Sequence, residues 1–160
     1  MSDPQDLARF VEAQRDSFDV ALAELRAGRK TSHWMWFVFP QVAGLGHSPT
    51  AMHFAIGSRA EARAYLAHPV LGDRLRAATD ALLGHPDRSA AEIMGPVDAL
   101  KLRSSLTLFA AVADDPAPYR AALDAFFDGE DDPRTLAFLQ EEAGTAAPPA
   151  GPTGAASPRE

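Results

Sequence analysis

The residues best equipped for chemistry fall in one short stretch, GRKTSHWMWFVFPQVAGLGHS (residues 28–48). It runs from two cations, Arg29 and Lys30, through His33, Trp34 and Trp36 to Gln41, and ends in Gly44, Gly46 and Ser48. Each residue type has a use at a binding site. Arg29 offers a bidentate fork, and Lys30 a point charge, to a phosphate or carboxylate. Trp34 or Trp36 can stack on a flat ring. Gly44 and Gly46 let backbone approach a ligand closely, with N–H groups at a helix start near Ser48 free to meet an anion. Taken singly, these residues also have structural explanations. Cations after a helix end favour the dipole, and aromatic clusters are more often core than cofactor box. The Gly-x-Gly lacks the preceding strand and third glycine of a dinucleotide fingerprint. Their convergence in so short a segment points to a site.

His33 lies between a basic turn and an apolar run, which makes it a candidate general acid or base. It can equally donate one ring N–H to a carbonyl and do nothing else. The other histidines offer less: His68 precedes Pro69 and suits a helix end, and His85 in GHPDR reads as a solvated loop residue. No HExxH spacing is present, so a zincin site is absent.

The second candidate segment is DALKLRSSLTLF (residues 98–109). On a helix, Asp98, Lys101 and Ser105 share one face, beside an apolar face of Leu102, Leu106 and Phe109, while Arg103 points away from both. Lys101, held near Asp98, would position an anionic ligand, with Ser104 or Ser105 as hydrogen-bonding hydroxyls. The bland reading is an exposed Asp98–Lys101 pair worth a few tenths of a kcal/mol. A serine nucleophile is disfavoured because the lysine precedes the serines, the reverse of S-x-x-K. The catalytic candidates are therefore His33 and Lys101. DGEDDP (residues 128–133) lacks the ligand spacing of a calcium loop and reads as helix punctuation, with Gly129 as a stop and Asp132 as an N-cap.

The elements that must position these residues read as helices. Asp3 and Pro4 open one that carries Leu7, Phe10, Val11, Phe18, Ala21, Leu22 and Leu25 at helical spacing and stops at Gly28. Ser48 before Pro49 starts another, and Ser58 with Glu61 and Ser89 with Glu92 are capping-box patterns. Pro69, Pro96, Pro118 and Pro133 open the rest. Ser32 can cap a short helix in WMWFVF that ends before Pro40. No run alternates apolar and polar residues between hairpin turns. The expectation is an all-α protein, a single compact domain of about seven or eight short helices spanning residues 4–142. Residues 143–160, rich in Ala, Gly and Pro without a large apolar side chain, are expected to be disordered.

Composition sets outer bounds. The chain has 160 residues, 46% hydrophobic and 23% charged, enough for one self-supporting core. It has no cysteine, which excludes disulfides, thiol chemistry and cysteine-bound zinc. A net charge of −7 gives no basic footprint for nucleic acid. No signal peptide or membrane span is evident, so a soluble cytoplasmic protein is expected. No residue pattern calls for a cofactor or a metal.

The blocks LARFVEAQ, ALAELRAGRKTSHWMWFVFPQVAGLGHS, YLAHPVLGDRL, IMGPVDALKLRSSLTLF and LAFL, in this order and spacing, resemble the bacterial family known as domain of unknown function 1810, sometimes mislabelled calpastatin. The resemblance spans about residues 4–140, and GRKTSHWMWFVFPQ is its most specific block. It implies a small, mainly helical domain and no established activity. The family's polar motif positions fall on Arg29, Lys30, His33, Gln41, Ser48, Asp98, Lys101, Ser104 and Ser105.

The functional expectation is a small-molecule binding protein or enzyme for an anionic ligand with a flat ring, such as a nucleotide or ADP-ribose derivative. Segments 29–48 and 97–109 must then meet in space. The alternative is a non-catalytic interaction module whose Trp34, Trp36 and Phe39 form an exposed apolar patch or dimer surface. A third reading makes the motif purely structural, with every polar group satisfied by protein partners.

Overall fold

The computed structural model describes residues 6–146. The helix start expected at Asp3 and Pro4 lies outside that range, as does the expected disordered tail beyond Ala146. The described residues form a single all-α domain: α1 (Ala8–Gln14), α2 (Phe18–Ala27), α3 (Met35–Val38), α4 (Pro49–His53), α5 (Arg59–Ala67), α6 (Leu71–Leu83), α7 (Ala90–Met94), α8 (Pro96–Val112), α9 (Ala117–Phe127) and α10 (Pro133–Ala146). This exceeds the seven or eight helices expected, and α10 continues past the boundary placed at residue 142.

Local chemistry accounts for most of the boundaries. Ser48, Ser58 and Ser89 each accept from the backbone N–H three residues on, and Ser89 with Glu92 completes a reciprocal capping box. Gly28 closes α2 in the left-handed conformation, φ 79°. Pro96 and Pro133 occupy the first helical positions of α8 and α10. Asp132 caps α10: its Oδ2 accepts from Thr135 N–H at 3.0 Å. His68 caps the start of α6, with Nδ1 accepting from Val70 N–H at 3.1 Å and Leu71 N–H at 3.3 Å.

Three expectations are corrected. The long first helix is two, because the chain turns at residues 15–17, where Ser17 Oγ donates to the Ala13 carbonyl. Phe10, Gln14, Phe18, Ala21 and Leu25 are all buried, so the apolar period runs through the turn and hides it. Ser32 does not cap α3; its hydroxyl is taken by Glu24. His85 is not a solvated loop residue, since its Nε2 lies 2.9 Å from the Leu25 and Arg26 carbonyls and so ties down the end of α2.

Helix α8 forms the spine, packed on α5, α7, α9 and α10. Leu102, Leu106 and Phe109 are buried along it, on the face expected to be core. Between α3 and α5, the chain makes an isolated parallel bridge, Val42 to Ile56, in which Ile56 N–H donates to the Gln41 carbonyl at 2.8 Å. That bridge fixes the loop that follows Pro40 against the domain.

Candidate functional site

The turn between α2 and α3 is organised by a residue with no obvious signature in the sequence. Glu24, on α2, accepts from Thr31 N–H (2.8 Å), Ser32 N–H (3.0 Å), Ser32 Oγ and Trp34 Nε1 (2.9 Å). Partial burial opposes its ionisation, but the hydrogen bonds from Ser32, Thr31 and Trp34 outweigh that and hold its carboxyl at about 2. The ring of Trp34 is thereby fixed in the core, 1% exposed, with its polar edge satisfied.

The same turn sends Lys30 inward. Its backbone N–H donates to the Ile93 carbonyl of α7 at 2.7 Å, and its ammonium lies 2.8 Å from Asp98 Oδ2. Lys101 approaches the other oxygen, Oδ1, at 3.1 Å. Asp98 thus bridges two ammonium groups, one from each segment that the sequence singled out. Burial disfavours the Asp98 charge, but hydrogen bonds and Coulombic attraction from Lys30 and Lys101 prevail and lower its pKa below the ordinary value. With one carboxylate between two ammoniums, the cluster keeps an excess positive charge.

Each lysine also faces an indole. Lys30 Nζ is 5.0 Å from the Trp34 ring centroid, and Lys101 Nζ is 4.4 Å from that of Trp36. The two tryptophans therefore divide their roles. Trp34 is a core residue, and Trp36 is half-buried beside Lys101. Together with Lys30, His33, Ser48 and Asp98 they line a cavity of about 300 Å³. Thr50 joins this wall, one residue after Pro49, which the sequence reading passed over.

Other expected site residues lie elsewhere. Arg29 is exposed and does not line the cavity. Ser105 is fully buried in α8 and lines neither this cavity nor the next one. Gly44 is exposed with φ 94°, and its carbonyl accepts from Arg134 at 3.3 Å. Gly46 packs under the indole instead of admitting a ligand: a Cβ there would stand 2.9 Å from Trp36 and 2.7 Å from the Ala51 Cβ. Gln41 and Ser104 line a second cavity, of about 360 Å³, on the far side of Lys101. Ser104 Oγ is spent on the Leu100 carbonyl and on Asp132 Oδ2, each at 3.2 Å. Arg103 donates to the carbonyls of Glu130 and Asp131, pins the α9–α10 loop and joins the wall of this second cavity.

The exposed Trp/Phe patch of the alternative reading does not form. Trp34 and Phe39 are 1% and 0% exposed, because both rings fill the core behind α3. Among the described residues no cluster of His, Asp and Glu could hold a metal ion, and no helix is long and apolar enough to cross a membrane.

The fold and site define a small all-α domain with a half-buried Lys–Asp–Lys bridge on its cavity wall. Over residues 4–139 the chain matches the family described as protein of unknown function (DUF1810), and it belongs to that family. It is similar to the conserved hypothetical protein Rv1873 from Mycobacterium tuberculosis, known from a crystal structure: the identity is 50%, over 86% of this chain and 99% of that one, with a TM-score of 0.85. A comparison with curated proteins finds no match.

Proposed function

We propose that the protein binds a small anionic molecule carrying a flat ring, of the nucleotide or ADP-ribose kind, in the cavity beside Trp36. One observation carries this reading. The Lys101 ammonium sits 4.4 Å from the Trp36 centroid and 3.1 Å from Asp98, on a cavity wall it shares with Lys30 and His33. The excess positive charge suits a phosphate or carboxylate, and the half-buried indole suits a ring. Asp98 keeps both ammoniums in place before a ligand arrives, so their ordering entropy is met in advance.

Two residues on that wall are candidates for chemistry. Lys101 is an electrostatic anchor, held in position by its contact with Asp98. His33, exposed at the cavity, offers an imidazole within reach of a bound ligand.

A thermal-shift screen against nucleotides and sugar phosphates tests the proposal. A ligand present at 100 times its dissociation constant adds about 2.7 kcal/mol of stability. Lys101→Ala should abolish the shift while leaving the fold intact. A flat response across the panel would sink the reading.

A further inference from the structure

The second cavity lies between the loop after Pro40, α8 and the start of α10, and it shares Lys101 with the first. Gln41 on its wall is 6% exposed, and its Nε2 is buried without a hydrogen-bond partner. An unpaired buried amide is destabilising, and an apolar side chain of the same size would remove the penalty. A carboxamide held there needs an acceptor that the folded chain does not supply. Rotation about its terminal torsion, which is soft, would turn the N–H groups to an oxygen placed in the cavity.

The rest of the wall indicates what carries that oxygen. Arg134 stands at the rim, held by its bond to the Gly44 carbonyl, and among the described residues it has no carboxylate partner. Lys101 and Arg103 add two further cations, Arg103 being held by the carbonyls of Glu130 and Asp131. The carboxylate on this wall, Asp132, has Oδ2 occupied by Ser104 and by Thr135, and its single negative charge is outnumbered by Lys101, Arg103 and Arg134. Val97 and Leu100, each 66% exposed, leave an apolar lip on the α8 side. An anion with an aliphatic body meets all of these at once.

We propose that this second cavity is a binding site for a small aliphatic carboxylate, whose oxygens accept from Gln41 Nε2 and pair with Arg134 while its hydrocarbon lies on Val97 and Leu100. Apart from the shared Lys101 wall, it does not depend on the first cavity holding a ring. Its residues come partly from α10, outside both segments that the sequence singled out.

The test is a titration of the ¹⁵N-labelled protein with isovalerate, with isovaleramide as the neutral isostere and inorganic phosphate as the non-aliphatic anion. The side-chain amide resonances of Gln41, identified by their loss in Gln41→Leu, report this cavity. The Trp36 indole resonance reports the other. Isovalerate should shift the Gln41 amide saturably, and isovaleramide should not. Gln41→Leu, followed through backbone amides of α10, should weaken binding by about tenfold, and Arg134→Glu by about fivefold. Arg134 is exposed, so that variant keeps the test valid even if the Gln41 change disturbs packing. No saturable shift at Gln41 overturns the proposal, and so does an equal response to phosphate or to the amide. A shift confined to the Trp36 indole overturns it while supporting the reading of the first cavity.

Discussion

Asp98 and Lys101 share a contact but should behave very differently when removed. The side chain of Lys30 is 7% exposed, and Asp98 supplies its counter-charge. Asp98→Ala leaves that ammonium buried and uncompensated, a change of about 3–5 kcal/mol in comparable cases. Lys101, with a more open side chain at 23%, contributes on the scale of a surface pair, about 0–1 kcal/mol. Urea denaturation should therefore show a large loss for Asp98→Ala and a small one for Lys101→Ala. Equal losses would mean that the bridge is not asymmetric in the way its burial indicates. Gln41 makes the opposite prediction: Gln41→Leu should leave the midpoint unchanged or raise it, because it removes a buried donor without an acceptor. The residue types of this site were legible in the sequence, whereas their partners were not. Lys101 with Asp98 follows from helical spacing, but Lys30 with Asp98, and Glu24 with Trp34, depend on how distant or turning segments pack. No local pattern encodes that.

At the scale of the element, legibility followed capping chemistry. Ser48, Ser58 and Ser89 announce their helices because the acceptor and the donor lie three residues apart. The turn between α1 and α2 leaves no such mark, since the buried positions keep their period across it. Helix α3 is too short for periodicity, and its start is set by Glu24 from another helix. Helix contacts likewise decide what a glycine does. Gly72 lies in the first turn of α6, where a Cβ would stand 2.1 Å from the Leu66 carbonyl oxygen at the end of α5. Replacing glycine by alanine inside a helix normally gains about 0.5–1 kcal/mol, but backbone cannot yield here as a side chain would. The α5–α6 corner must open, at a cost of about 1–3 kcal/mol, so Gly72→Ala should lower the denaturation midpoint. Gly46→Ala presses on a ring and a methyl group instead of backbone. Its expected effect is a displaced Trp36, read as a changed indole resonance and a smaller ligand-induced thermal shift.

For the whole molecule, net charge and local charge point in different directions. The chain carries −7 overall, yet its candidate site concentrates ammonium groups around a single carboxylate. Composition gave the overall acidity but said nothing about that local excess. The acidic groups inside the fold also set how global stability varies with pH. Glu24 is held at about 2 in the folded chain against 4.5 for the free side chain, and Asp98 is shifted in the same direction. As pH falls below 4.5 the unfolded chain takes up protons at these groups first. The contribution of Glu24 is thus fully present above that pH and is lost progressively as pH falls through its folded value near 2, and that of Asp98 is lost on the acid side in the same sense. Glu24→Gln removes the largest such term and puts an NH₂ group among donors. It should reduce stability at neutral pH by about 1–3 kcal/mol and flatten the decline on the acid side. Urea denaturation of both proteins at neutral pH and across the acid range measures this directly. If the two curves run parallel down to pH 2, the hydrogen bonds on Glu24 do not hold its carboxyl low, and the turn that carries Lys30 into the site is organised by something else.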